Sequence, residues 1–192
     1  MTPTDAYPGP ENVTRIQLEN GMVLLVRPNA AAPVTILEGY LPCGAVHEPA
    51  AKTGLASFTA ALTTRGSQHY DFHAFNEAVE SVGASITVSG GDHVTNFSAE
   101  SLAEDFPRIL EILADVLRRP TFPADQMERL RGQWLVRLQE REQNTRSVAY
   151  RRFHELLYGD HPYGRPTSGY PETIQAITRE DVVQYHSRFY SP

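Results

Sequence analysis

Cysteine is nearly absent from this sequence of 192 residues: Cys43 is the only one. A lone thiol excludes an internal disulfide. With only His47 near it in sequence, Cys43 reads as a small buried residue rather than an activated nucleophile. The opening residues, Met1-Thr2-Pro3-Thr4-Asp5-Ala6-Tyr7-Pro8, lack the basic and apolar run of a secretory signal, and no later run is apolar enough for its length to span a bilayer. The expectation is a cytoplasmic protein without a membrane partner. Positive charge is also short, with 17 Lys and Arg against 23 Asp and Glu for a net charge of -6, which argues against nucleic acid as a partner. Basic residues do gather at Arg129, Arg131, Arg137, Arg141, Arg146, Arg151 and Arg152. Glu128, Glu140, Glu142 and Glu155 are interleaved with them, the pattern of a solvated, ion-paired helical face.

What remains is an ordinary globular composition, 41% hydrophobic, in a chain long enough to bury a core. Residues 1–12 read as a disordered or extended arm and residues 13–192 as a single domain. Thr14 to Leu18 and Met22 to Val26 flank Asn20-Gly21, a dipeptide that tolerates the positive φ of a tight hairpin turn. Val34 to Leu41 reads as a third strand, and Ser85 to Ser89 with Val94 to Ala99 as a second hairpin across Gly90-Gly91-Asp92. Leu55, Phe58 and Leu62 recur at helical spacing. A helix capped by Asp71 stops near Gly83. The stripe Leu102, Phe106, Ile109, Leu110, Leu113, Val116, Leu117 predicts a helix ended by Pro120. Further helices follow Pro123, with Met127, Leu130, Trp134 and Leu138 on one face, and cover Val148 to Tyr158 and Glu180 to Phe189. Strands followed by helices imply an α+β fold, a mostly antiparallel sheet with helices on one face.

The segment Gly54-Leu55-Ala56-Ser57-Phe58-Thr59-Ala60-Ala61-Leu62 has the frame of an inverted zinc motif, His-x-x-Glu-His. In that motif two histidines on one helical face hold the metal and the glutamate serves as general base. Here Ser57, Ala60 and Ala61 occupy those places. Neither alanine has a donor atom, and a serine hydroxyl is a poor zinc ligand.

Other landmarks fall in order around this helix. They are Leu18-Glu19-Asn20-Gly21-Met22, Gly39-Tyr40-Leu41-Pro42-Cys43-Gly44-Ala45, Lys52-Thr53-Gly54-Leu55-Ala56, Gly66-Ser67, His161-Pro162-Tyr163-Gly164-Arg165-Pro166, Gly169 and Ile174 to Tyr190. Together they resemble the insulinase, pitrilysin and mitochondrial processing peptidase family across roughly Val13 to Tyr190. The resemblance implies a third zinc ligand, a glutamate on a later helix, and the ungapped count from Ala61 lands at or beside Arg137, where Val136 and Leu138 are no better as ligands. A guanidinium has no lone pair to offer and repels a cation. No metal or other cofactor is therefore expected.

The resemblance further implies that the segment Tyr185 to Pro192 is followed by another strand and a second subdomain, so the chain reads as the front portion of a longer protein. An unpaired sheet edge could then accept a second copy or an extended peptide, with Gly90 and Gly91 allowing close approach. The expected function is that of a non-catalytic homologue of a zinc metallopeptidase, pairing with a catalytic module or subunit to enclose peptide substrates. Two alternatives stand beside it: a purely structural assembly subunit, and a metalloendopeptidase with a site rebuilt from His69, His73, His154 or His161. His69 and His73 straddle the helix cap at Asp71, and His154, His161 and Asp160 surround a turn at Gly159, so neither set is preorganised. Gly90-Gly91-Asp92 lacks the helix and lysine of a phosphate loop, and Ser57 lacks the Gly-x-Ser-x-Gly setting of a hydrolase nucleophile.

Overall fold

The computed structural model describes residues 9–29 and 31–190. Residues 1–8 of the expected arm, and Ser191 and Pro192, lie outside the described residues. Gly9 to Asn12, the rest of that arm, form a turn closed by the Asn12 amide on the Gly9 carbonyl at 3.0 Å.

The backbone divides into two compact units. The first contains a hairpin, β1 (Thr14–Gln17) and β2 (Val23–Val26), paired antiparallel from Thr14 opposite Val26 to Gln17 opposite Val23. Gly21 takes φ 86° at its turn, and the Asn20 side chain accepts from the Met22 amide at 3.1 Å. Asn-Gly was the strongest turn signal in the sequence because both residues tolerate such dihedrals.

The second unit holds a three-stranded sheet in the order β3 (Val34–Leu41), β5 (Thr95–Leu102), β4 (Ser85–Gly90). β4 and β5 pair antiparallel from Ser85 opposite Glu100 to Gly90 opposite Thr95. Leu37, Ile86, Phe97 and Ala99 point to one face, as strand periodicity requires. There they meet α2 (Phe72–Glu80) and α3 (Phe106–Arg118) through Phe75, Val79, Ile109, Ile112, Leu113 and Val116. Helices thus cover one face of the sheet. Asp71 caps α2 by accepting from the Ala74 amide at 2.8 Å.

One part of the expected α3 stripe needs correction. Leu102 is the last residue of β5 and is 41% exposed, and Leu110 is 42% exposed, whereas Ile112 is fully buried. A turn joining the Asp105 amide to the Leu102 carbonyl separates strand from helix, so the helical period begins only at Phe106.

A second core gathers α1 (Leu55–Thr63), α4 (Ala124–Gln143), α6 (Pro171–Ala176) and α7 (Arg179–Phe189), while α5 (Thr145–Tyr158) contributes no buried residue. Phe58 and Leu62 of α1 pack with Met127, Leu130 and Leu138 of α4, Ile174 of α6, and Val182 and Tyr185 of α7. The Trp134 ring stands edge-on to Phe58 at 5.7 Å, and its Nε1 donates to the Ser168 carbonyl at 2.9 Å. Among the described residues, no helix is long and apolar enough to cross a membrane.

The junction of α1 with the sheet is tight. A Cβ on Gly90 would lie 2.8 Å from both the Cα and the amide nitrogen of Ser57. Backbone on each side leaves nothing to yield, so Gly90→Ala should lower unfolding stability by about 1–3 kcal/mol. Gly132, within α4, has open space where its Cβ would be. Gly132→Ala should raise stability by about 0.5–1 kcal/mol, because alanine loses less backbone entropy in a helix. Urea unfolding of the two variants checks both signs.

Candidate functional site

The motif helix begins without a capping side chain of its own, since Gly54 at its N-cap takes φ 99°. A side chain there would meet Ile174 Cδ1 at 2.8 Å and the Gly169 Cα at 2.9 Å. Glu48 supplies the missing acceptor from outside the helix. Its Oε1 accepts from the Gly54 amide at 2.8 Å and its Oε2 from the Ala56 amide at 2.9 Å. A carboxylate at a helix N-terminus also meets the positive end of the dipole. Burial pushes the Glu48 carboxyl up to about 7, against the amides of Ala56 and Gly54 and the charge of Arg165, which favour the ionised form. The preceding residues are tied to the later helices: Thr173 Oγ1 donates to the Thr53 carbonyl at 2.7 Å, and Lys52 Nζ lies 2.7 Å from Asp181 Oδ2.

On this anchored helix Ala60 is fully buried, while Ser57 and Ala61 are half-buried. Ser57 Oγ donates to the Gly90 carbonyl at 3.2 Å, which joins α1 to the end of β4. Gly90 and Gly91, expected to let a peptide approach closely, also make internal contacts. Gly90 is filled by α1, and Gly91 donates to the Val94 carbonyl at 2.8 Å while its own carbonyl accepts from the Ala45 amide at 2.9 Å. Arg137 is exposed on α4, one residue before the buried Leu138. It stands close enough to Arg65, just beyond the end of α1, to disfavour the charge there. Burial lowers the Arg65 pKa, and the charges of Arg137 and Arg129 lower it further.

A family model described as insulinase, peptidase family M16, matches residues 27–170. The chain belongs to this peptidase family. Subunit 1 of the mitochondrial cytochrome b-c1 complex of Bos taurus is 25% identical over 174 residues, covering 91% of this chain and 36% of that protein. The mitochondrial-processing peptidase subunit beta of Bos taurus is 28% identical over 173 residues, covering 90% and 35%. The chain thus spans about a third of the length of these relatives. A peptidase M16 inactive domain from Pseudomonas fluorescens superposes with TM-score 0.85 at 26% identity, over 92% of this chain and 43% of that one. A protease from Helicobacter pylori shares the fold with TM-score 0.86 at 21% identity, over 94% and 44%.

The insulinase family motif implies zinc, and the residues at the motif positions do not fit it. Zinc takes imidazole, thiolate or carboxylate donors; Ala60 and Ala61 have no donor, Ser57 Oγ is engaged with Gly90, and Arg137 is a cation. Among the described residues, no group of three or more His, Cys, Asp or Glu could hold a metal ion. None of the histidines weighed as substitutes belongs to such a group, although His154 and His161 both contact the Tyr158 ring. His69 Nδ1 lies 2.9 Å from Asp115 Oδ1, His73 stands beside Phe72, His154 stacks on Tyr150 at 4.2 Å, and His161 Nδ1 accepts from the Tyr163 amide at 3.2 Å. Cys43 is fully buried, with its Sγ 3.5 Å from Thr95 Oγ1 and its thiol pKa pushed up by burial.

Glu48 generates a pH prediction for this helix. Its pKa rises from an ordinary 4.5 to about 7 on folding, so the native state binds the proton more tightly than the unfolded chain. The corresponding stability is fully present below about pH 4.5 and is lost as pH rises to about 7. Unfolding midpoints measured across that window should fall more steeply in the native chain than in Glu48→Gln. Glu48→Ala, which removes both accepting oxygens, should cost about 1–3 kcal/mol even at low pH.

Proposed function

We propose that this chain is a non-catalytic member of the insulinase family that pairs with a motif-bearing peptidase module, and that the two hold peptide between them. The observation that carries this reading is the combination on α1 of a retained seat and missing donors. Glu48 and Gly90 hold the helix in place while Ser57, Ala60 and Ala61 stand where the metal and base would be. Similarity to an inactive domain of the same family supports it. β4 supports the peptide-holding part. It pairs on one side with β5 and lies against α1, so an extended peptide added along its other side would run beside the motif helix.

The test combines the purified chain with a family module that retains His-x-x-Glu-His and follows cleavage of an unstructured peptide. A faster rate than the module alone shows, with no cleavage by this chain alone, supports the proposal. Co-elution of the two with an unchanged rate favours a purely structural subunit, a reading motivated by the similarity to cytochrome b-c1 complex subunit 1. Cleavage by this chain alone contradicts both.

A further inference from the structure

The arginines of α4 and α5, with Arg65, fall into two groups. Arg131 lies 3.1 Å from Glu128, Arg151 2.6 Å from Glu142 and 3.1 Å from Glu155, and Arg152 2.8 Å from Glu155, while Arg141 is 3.9 Å from Glu142. The ion-paired face expected of this cluster is thus met by four of its seven arginines. Arg65, Arg129 and Arg137 differ, as does Arg146 on α5: among the described residues none has a carboxylate oxygen within 4.0 Å.

Geometry puts Arg65, Arg129 and Arg137 together. Arg129, Gln133 and Arg137 recur every fourth residue of α4, so they share one face, with neighbouring Cβ atoms about 6 Å apart. Arg65 reaches the middle of this row, where its Nη2 donates to Gln133 Oε1 at 2.9 Å. Its guanidinium carbon lies 5.2 Å from the centroid of the Phe72 ring. Arg65, Arg129, Phe72 and Gln126 border an open cleft of about 450 Å³ that Asp71 and Asp125 also line. Gln126 Oε1 is buried there without a hydrogen-bond partner. Both carboxylates keep their charge, but among the described residues neither has an oxygen within 4.0 Å of a guanidinium nitrogen. Asp71 Oδ1 accepts from the Ala74 amide at 2.8 Å, and Asp125 Oδ2 accepts from Gln126 Nε2 at 2.9 Å. Glu140, on the turn of α4 beyond Arg137, is exposed and forms no ion pair with it.

Like charges in one row are unfavourable until a counter-charge arrives. Eight residues of helix separate Arg129 from Arg137, a rise of about 12 Å. An extended chain advances about 3.3 Å per residue, so carboxylates about four positions apart can meet both guanidiniums. A single small anion cannot. We infer that Arg129, Gln133 and Arg137, with Arg65 beside them, form a docking row for an acidic segment of another polypeptide in extended conformation. The position at which the family resemblance places a metal-binding glutamate, Arg137, thereby contributes the opposite charge to an anion site.

The inference is independent of the pairing role proposed above, because its test uses the chain by itself. A fluorescently labelled peptide of alternating glutamate and serine is titrated with the protein and read by anisotropy, beside a glutamine-for-glutamate counterpart. Saturable binding of the acidic peptide, weakened by added salt and absent for the neutral one, is expected. The double variant Arg129→Glu, Arg137→Glu should lose at least about tenfold in affinity, whereas Arg152→Glu, which alters an arginine already paired with Glu155, should leave it unchanged. Equal binding by the double variant, equal binding of the neutral peptide, or no binding of either would overturn the inference. A single-stranded oligonucleotide of matched charge that competes as strongly as the acidic peptide would overturn the assignment to a polypeptide. Circular dichroism of the double variant separates lost binding from lost folding.

Discussion

The seating of α1 is the constraint on which the rest of this domain depends. The helix is buried on most of its circumference, and its own sequence provides no N-terminal cap. Glu48 closes that end by spending both carboxylate oxygens on the Gly54 and Ala56 amides. Gly54 and Gly90 then let Ile174 and β4 approach the helix more closely than any side chain would allow. A helix held in this way has one position and one rotation, which fixes where Ser57, Ala60 and Ala61 stand.

That rigidity gives the missing donors their meaning. Loss of a metal removes a strong organising interaction, and a site that had depended on zinc for its shape would lose its geometry with it. Here the shape rests on hydrogen bonds and close backbone packing, including the Ser57 hydroxyl on the Gly90 carbonyl and the approach of Gly90 to the Ser57 backbone. Glu48, Gly54 and Gly90 thus seat the helix without a metal donor at the motif positions. On α4 a cation, Arg137, stands in a row with Arg129 and near Arg65. A surface of this kind attracts carboxylates rather than metal ions.

Much of the fold was legible from local signals. Asn20-Gly21 fixed a hairpin, the β-branched run at Val34 to Leu41 gave β3 to the residue, and Asp71 marked the start of α2. Period broke down where strand runs into helix, because Leu102 continues the apolar stripe of α3 without sharing its geometry. The short α6 was missed because its 6 residues are too few to show a period. At the site, the motif frame and the absence of its donors could be read directly. The role of Glu48 could not, because its partners lie across an intervening turn and nothing in its neighbourhood marks a cap. Gly90 and Gly91 were legible as special but not in purpose, since only the packed helix shows that Ser57 fills the space beside Gly90. Arg65 escaped notice for a related reason: it is remote in sequence from the α4 arginines, and only the fold brings it to Gln133.

The central claim is that the family's frame persists here without its metal. Its most direct test is the metal content of the purified 192-residue chain after exposure to excess zinc and exhaustive dialysis, measured by elemental mass spectrometry. The account predicts zinc at background level in a chain that remains folded by circular dichroism. One tightly retained zinc ion per chain would contradict it.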